Sequence, residues 1–300
     1  MKMYKTTKLN GVLVKNTILA LLALLTLSKA YSMEAPATPL RIMTFNIRRQ
    51  GKEKEPNNLW ENRKARVEQL IRDQHPDIMG LQEPTKEQIG DLAQALKQYA
   101  WFGTGRGSSW LGMGTDEYNP IFYNTQRFEL QPEHGTFSIN QSGKFEYAWD
   151  YKKYGLLPRI CTWAKFKDKK TNHEFYVYNT HLDHLYPQAQ RHGLTTILNF
   201  MTKQNKQLPV ILMGDFNTEL TAELQDTLLK DFSDTKLRTL FRVGPEETRT
   251  GWHHEELKKI DHILLSNNAD AMIVQHITVA EPNKDELPSD HRPVMIDLSF

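Results

Sequence analysis

Leu208-Pro209-Val210-Ile211-Leu212-Met213-Gly214-Asp215-Phe216-Asn217 is the stretch whose reading decides the fold. Val210–Met213 is an unbroken apolar run, the habit of a strand buried inside a layered sheet. Gly214 ends the run. Asp215 and Asn217 are two residues apart, so in extended chain they share a direction. A polar side chain at the carboxyl end of a buried strand sits at the sheet's rim, where a substrate can reach it. The same pattern recurs in Thr44-Phe45-Asn46 behind Leu40–Met43, in Leu81-Gln82-Glu83 closing Ile78–Leu81, and in Asn179-Thr180-His181 behind Phe175–Tyr178. Ile260-Asp261-His262 and Ser289-Asp290-His291 stand beside the last apolar runs. Carboxylates, amides and imidazoles gathered at one rim are the parts of a metal-assisted phosphoryl-transfer site.

Working outward, strand and helix patterns alternate. Strands are expected at 40–46, 77–82, 121–123, 128–130, 160–166, 174–180, 209–214, 260–265, 271–279 and 293–299. Helices are expected at 59–73, 86–98, 187–204 and 221–230. The polar motifs run from Asn46 to His291, so a single site requires both ends of the chain and one domain, placed at 38–300. Two halves with β-α-β character and many antiparallel strands predict an α/β (α+β) fold. Its form is a four-layer αββα sandwich, two packed mixed sheets with helices outside.

The chain has 300 residues, 39% apolar and 10% aromatic, enough for a substantial core. Lys2, Lys5, Lys8 and Lys15 precede the apolar run Ile18–Leu27, and Ser28-Lys29-Ala30 follows. That is the layout of a signal peptide over residues 1–30, cleaved after Ala30 or else after Ser32; the run is short for a membrane span. Export to the periplasm or the medium is therefore expected, with no stable membrane span after processing. Retention of the leader as an anchor is the alternative. The leader carries five lysines and no acid, so the formal charge of +2 for the whole chain becomes 33 basic against 36 acidic residues, a net of −3. Such a chain lacks the overall basic footprint of a nonspecific nucleic-acid binder, though a local basic patch stays open. The single cysteine, Cys161, lies in an apolar run and reads as a buried small hydrophobe. A monomer is expected.

Each motif carries a definite chemistry. Glu83 at a strand end suits Mg²⁺, which takes one or two carboxylates and keeps several waters. Asn46 can orient a carboxylate or a metal-bound water, or simply form a turn before Arg48-Arg49. Asp215 can orient the attacking water and Asn217 can hold a phosphate oxygen, or the pair can cap a helix. His181 can donate to a phosphoryl oxygen. Asp183 and His184 either support it or belong to a solvated loop before Pro187. His291 can bring in a charged imidazole, with Asp261 polarising it. His262 points to the face opposite Asp261 and reads as structural.

Together these motifs resemble the endonuclease/exonuclease/phosphatase superfamily, with its deoxyribonuclease-like fold, over residues 38–300. The likeness is strongest to a bacterial exported subgroup. It is carried by Pro120-Ile121-Phe122-Tyr123, Trp149-Asp150, Leu157-Pro158-Arg159-Ile160-Cys161-Thr162-Trp163-Ala164, Asn179-Thr180-His181-Leu182-Asp183-His184 and Ser289-Asp290-His291. The resemblance implies that Glu83 binds the divalent cation, Mg²⁺ or alternatively Mn²⁺, with Asn46 adjacent and Asp290 supporting that side. It implies that Asp215 positions or deprotonates the water. Asn217 and His181 would hold the phosphate, and His291 paired with Asp261 would stabilise the transition state. Arg159, Tyr123 and His184 are the substrate contacts expected from the shared motifs. Where the subgroup commonly has an acidic pair after a Gly-Arg, this chain has Gly105-Arg106-Gly107-Ser108-Ser109-Trp110. Arg106, Trp110 and Glu117 are therefore further candidate contacts, and the departure puts in doubt a specificity carried over from relatives. The activity expected is hydrolysis of a phosphate ester, first a phosphodiester. The alternatives are a phosphomonoester of a sugar or nucleotide, a nucleic acid, or a catalytically silent binding protein. The last would have lost part of the catalytic set, and none of it is missing.

Overall fold

The computed structural model describes residues 39–51, 53–107, 116–140, 150–204, 207–221, 223–224, 237–239, 245–266, 273–279 and 286–299. The expected signal peptide, Trp110, Trp149 and most of the expected helix 221–230 lie outside the described residues.

Two six-stranded sheets face each other. The first contains β1 (Leu40–Asn46), β2 (Ile78–Gln82), β3 (Tyr99–Phe102), β4 (Ile121–Asn124), β11 (Ile273–Val279) and β12 (Val294–Ser299), ordered β11-β12-β1-β2-β4-β3. The second contains β5 (Phe128–Ser138), β6 (Ile160–Asp168), β7 (Glu174–His181), β8 (Val210–Asp215), β9 (Leu237–Thr239) and β10 (Asp261–Ser266), ordered β5-β6-β7-β8-β10-β9. The only parallel ladders among the described strands are β1–β2 and β7–β8, each bridged by a helix. Those helices are α1 (Trp60–Gln74) and α4 (Pro187–Gln204), joined by α2 (Lys86–Ala95) and the short α3 (Tyr151–Tyr154). Helix–sheet–sheet–helix is the αββα sandwich expected from the sequence.

Local chemistry explains the elements. Helix α1 buries Trp60, Arg63, Val67 and Ile71, one face at helical spacing. It stops at His75, which adopts a left-handed conformation (φ 48°) and donates its N–H to Ile71 O. Helix α2 opens with a capping box between Thr85 and Gln88 and ends at Ala95, shorter than the pattern to 98 suggested. Strand β5 runs to Ser138, well past the expected 130. Pro132 interrupts the ladder, and the register shifts between Leu130 and His134 before pairing resumes. A sheet edge tolerates such a break.

The inward-facing rows decide where the site falls. Leu40, Ile42, Ile78, Phe175, Val177, Ile211, Met213, Ile263 and Leu265 fill the core between the sheets. Met43, Phe45, Met79 and Leu81 face α1 and α2; Tyr176, Tyr178, Val210 and Leu212 face α4. Continuing each inward row at period two leads from apolar to polar residues. Ile42 leads to Thr44 and Asn46, Ile78 to Gly80 and Gln82, Val177 to Asn179 and His181, Met213 to Asp215. The antiparallel β10 enters the same rim with Asp261. Below the rim a polar layer joins the sheets. Gln82 Nε2 donates to Thr44 Oγ1 (2.9 Å) and Asn179 Oδ1 (2.7 Å), and Asn179 Nδ2 donates to Leu81 O and Pro120 O at 2.9 Å each. Gly80 makes room for it: a Cβ there would lie 2.6 Å from Asn179 Cγ.

Candidate active site

At the rim the side chains close into a pocket of about 260 Å³, lined by Glu83, Asp215, Asn217, Asp290, the guanidiniums of Arg48, Arg49, Arg106, Arg159 and Arg249, and the imidazoles of His181, His184 and His291. Asn46 stands at its base. Its Nδ2 donates to Glu83 Oε1 (3.1 Å) and Asp215 Oδ2 (3.0 Å). Its Oδ1 accepts the backbone N–H of Arg48 at 2.9 Å, which fixes which way round the amide sits. Asn46 thus aligns two carboxylates, and its own oxygen is committed to the backbone.

Glu83 follows β2 in a left-handed conformation (φ 70°), which turns its carboxylate back over the rim. Its Oε2 accepts the N–H of Arg49 (3.2 Å) and lies 3.9 Å from the Arg48 guanidinium. Burial works to raise its pKa. Arg48, the Asn46 amide, His291 and the Arg49 N–H together outweigh burial, and Glu83 is held below the usual carboxylate range. The loop carrying Arg48 and Arg49 is clamped from behind. Arg63, fully buried in α1, donates to Ile47 O, Arg48 O and Pro288 O at 2.6, 2.5 and 2.9 Å.

Asp215 is the centre of the second group. Its Oδ2 lies 3.6 Å from His181 Nε2 and 3.8 Å from His291 Nε2. Burial first, and the neighbouring Asp261 charge second, push its pKa up to about 7. His291 Nδ1 bonds Asp261 Oδ2 at 2.9 Å. Burial opposes its charge, but Asp261, Asp215 and Asp290 prevail and push the imidazole up to about 10. His181 goes the other way: burial, then the Arg159 and Arg106 charges, drive it well below 6.5. The two imidazoles flanking Asp215 are therefore in opposite states at neutral pH, one charged and one neutral. Gly214 enables the turn, since a Cβ there would lie 2.0 Å from Thr180 O. Asn217 follows with φ 53°, its N–H donated to Asp215 Oδ1 (2.9 Å) and its Nδ2 to Leu182 O (3.1 Å).

On the β6 flank, Arg159 is 5% exposed and its Nη2 lies 3.0 Å from His184 Nδ1. Its Nε is buried without a hydrogen-bond partner, and no described carboxylate pairs with the guanidinium. Arg106 is held by Glu117 at 2.8 Å, and Arg49 lies 3.7 Å from the same carboxylate.

Of the residues singled out in the sequence, Glu83, His181, Asp215, Asn217, Asp290, His291, Arg159, Arg106, Glu117 and His184 line this pocket. Asn46 and Asp261 touch its lining from beneath. Tyr123 does not belong. It pairs with Ile78 at the far end of β2, and its ring packs 5.2 Å from Phe166 in the core between the sheets. The period-two row that carries Tyr123 points away from the rim, so the substrate contact expected of it is withdrawn. His262 is structural, its Nε2 2.9 Å from Thr218 O. Cys161 is buried and its thiol is pushed up by burial. Arg48, Arg49, Leu157 and Arg249 line the pocket without having been singled out. Arg48-Arg49 stood beside Asn46 and were read only as part of a turn; Arg249 follows no apolar run and carried no signal.

Asp215, Asp261 and His291 bring potential ligand atoms within 4.8 Å of one another. His291 Nδ1 is already bonded to Asp261 Oδ2 at 2.9 Å, so the trio reads as a charge-paired unit. The oxygen donors that fit a hard divalent cation are those of Glu83, kept ionised and aimed by Asn46, and of Asp290, which lines the same pocket.

The layering, the rim position and this donor set are those of a phosphoester hydrolase. The chain belongs to the Endonuclease/Exonuclease/phosphatase family, whose profile matches residues 43–291. Members of this family are phosphoester hydrolases and generally use a divalent metal. Among solved structures, the chain is similar to an endonuclease/exonuclease/phosphatase from Bacteroides vulgatus, at 29% identity and TM-score 0.75, over 88% of this chain and 99% of that one. It is also similar to a mannosyl-6-phosphatase from Bacteroides thetaiotaomicron VPI-5482, at 27% identity and TM-score 0.73, over 87% and 100% of the two chains. The human Nocturnin catalytic domain shares the fold at 22% identity and TM-score 0.66, over 88% and 94%. No curated protein matches the chain significantly. Among the described residues no helix is long and apolar enough to cross a membrane.

Proposed function

We propose that this enzyme is an exported, Mg²⁺-dependent phosphomonoesterase acting on a small polar ester of the sugar-phosphate kind. The observation that carries this reading is Arg159, a buried guanidinium without a carboxylate partner, facing the pocket beside His181. Burial and the Arg106 charge outweigh the support that Glu117, Asp183 and Asp215 give the Arg159 cation, and an incoming dianion offsets that cost. A monoester phosphate carries more charge than a diester, so the pocket favours the monoester, which the sequence had placed second to the phosphodiester. The mannosyl-6-phosphatase likeness supports the same choice.

In this reading Asp215, with its pKa near neutrality, orients a water and accepts its proton as the water oxygen bonds to phosphorus and the ester P–O bond breaks, the sugar oxygen leaving as an alcohol with a proton taken from solvent. The His291 imidazolium, fixed by Asp261, sets positive charge against the phosphoryl oxygens. Neutral His181, Asn217 and Arg159 hold those oxygens. Glu83 and Asp290 would hold the divalent cation, which supplies Lewis-acid neutralisation of charge when bound. Export rests on the leader alone and is tested by N-terminal sequencing of the mature product.

The deciding experiment is a Mg²⁺-dependent panel of nitrophenyl phosphate, bis-nitrophenyl phosphate, a hexose phosphate, RNA and plasmid DNA, run with wild type and Arg159→Gln. Monoesters should be turned over fastest, and Arg159→Gln should raise KM for them by roughly tenfold or more, the scale of one charge-assisted hydrogen bond. Faster cleavage of the diester or of nucleic acid would overturn the reading.

A further inference from the structure

We propose that the substrate carries a second anionic group, a further phosphate or a carboxylate, and that Arg249 reads it. This rests on the monoesterase reading above.

Arg249 is placed by backbone. It pairs across isolated bridges with both His291 and Lys258. Thr250 N and Gly251 N donate to Asp290 O at 2.9 and 3.1 Å, and Arg292 N donates to Thr248 O at 2.6 Å. Thr248 Oγ1 in turn accepts the N–H groups of Ile260 and Asp261 at 3.1 and 3.0 Å. The segment is thus tied to both strands that deliver the Asp261–His291 pair. This backbone pairing places Arg249 beside His291.

Its side chain lines the pocket. Nη2 meets Glu256 Oε2 at 2.8 Å, but that carboxylate is 41% exposed, and a half-exposed pair is worth little and is readily exchanged. Nε is buried with no partner. Among the described residues lining this pocket, Arg249 and Arg159 are the two guanidiniums with a buried, unfilled Nε, and they belong to opposite flanks. Arg159 immediately precedes β6. Asp261, whose pair with His291 adjoins Arg249, opens β10. Between those strands lie β7 and β8 with His181 and Asp215, so β6 and β10 are about 14 Å apart at the usual strand spacing.

A reacting phosphate seated over Asp215 has three non-bridging oxygens. His181, Asn217, Arg159, the His291 imidazolium and the metal side already converge on them. The guanidinium end of Arg249, which reaches the pocket, is left for an acceptor elsewhere on the substrate. Because that guanidinium can trade a half-exposed carboxylate for a better one, that acceptor is an anion. Both a second phosphate and a carboxylate meet this description, and the test separates them.

The experiment compares kcat/KM for four substrates in Mg²⁺: a hexose bisphosphate, the matching hexose monophosphate, a phosphorylated sugar acid and the neutral sugar phosphate of the same length. In wild type at least one doubly anionic member should exceed its neutral partner by roughly tenfold or more, as expected for one charge-assisted contact. Which pair shows the preference identifies the group. In Arg249→Gln that ratio should fall toward one, while Arg249→Lys, which keeps the charge but lacks Nε, should retain part of it. Ratios near one in wild type, or a preference that survives Arg249→Gln, would overturn the inference while leaving monoester hydrolysis intact. Release of phosphate from none of the four would overturn the monoesterase reading, and this inference with it.

Discussion

Replacing Asp261 by Asn should uncouple the charged imidazole on which the site depends. Asn keeps the shape and can still accept from His291 Nδ1 over the 2.9 Å contact, but the charge is gone. His291 is pushed up to about 10 against burial, with Asp261 as the leading counterweight and Asp215 and Asp290 behind it. Without Asp261, burial regains the upper hand and the imidazole falls toward or below its ordinary range. A drop of about three units corresponds to ~4 kcal/mol of differential stabilisation of the charged form. At neutral pH the wild-type ring is an imidazolium; the variant ring is largely neutral. Loss of such a preorganised charge costs roughly 10²–10³ in kcat. The wild-type pH–rate profile should rise as Asp215 ionises near 7 and fall as His291 deprotonates near 10. In the variant the alkaline limb moves acidwards. The acid limb stays nearly in place, because the Asp261 charge that raises Asp215 and the His291 charge that lowers it are lost together. His291 also links pH to stability: a pKa raised on folding contributes stability that is complete below 6.5 and is lost as pH rises through about 10. The assay is steady-state kinetics from pH 5 to 10.5 on wild type, Asp261→Asn, His291→Ala and the double variant. If the pair acts as one unit, the double variant is scarcely worse than His291→Ala. An unmoved alkaline limb, or additive losses in the double variant, would refute the pairing.

Asp215→Asn should lower kcat by roughly 10²-fold or more while raising thermal stability in chelator at pH 8. A buried carboxyl pushed up to about 7 opposes folding once it ionises, by at most ~4 kcal/mol, and an unchanged or lower Tm would contradict this. Gly80→Ala should destabilise by about 1–3 kcal/mol in urea unfolding, because the new methyl meets Asn179 at 2.6 Å; a neutral result would mean the polar layer yields freely. Glu83→Gln should weaken Mg²⁺ binding measured by calorimetry as well as turnover, and undiminished metal affinity would move the cation away from Glu83.

The sandwich was legible because its strands are short apolar runs that each end in a polar residue. Ile42–Asn46, Val177–His181 and Met213–Asp215 say in sequence what they do in space: apolar while between the sheets, polar at the rim. What was not legible depends on contacts between distant segments. Tyr123 and Glu83 both follow apolar runs, yet β4 is antiparallel to β2, so its end lies at the opposite edge of the sheet. Arg249 is brought to His291 by a bridge spanning 42 residues, which no local pattern encodes. The opposite charge states of His181 and His291 likewise follow from distant surroundings: burial and then two arginines lower one, while three carboxylates overcome burial at the other. Strand β5 was read short because Pro132 looks like an end, and only the edge position shows that the ladder continues.

The central claim is that water aligned by Asp215 attacks phosphorus in a monoester. Hydrolysis of a hexose phosphate in ¹⁸O-labelled water, with Mg²⁺ present, followed by mass spectrometry of both products, tests it most directly. The account predicts one labelled oxygen in the released phosphate, none in the sugar, and a rate lowered by roughly 10²-fold in Asp215→Asn. Label in the sugar, or an undiminished rate in that variant, would contradict it.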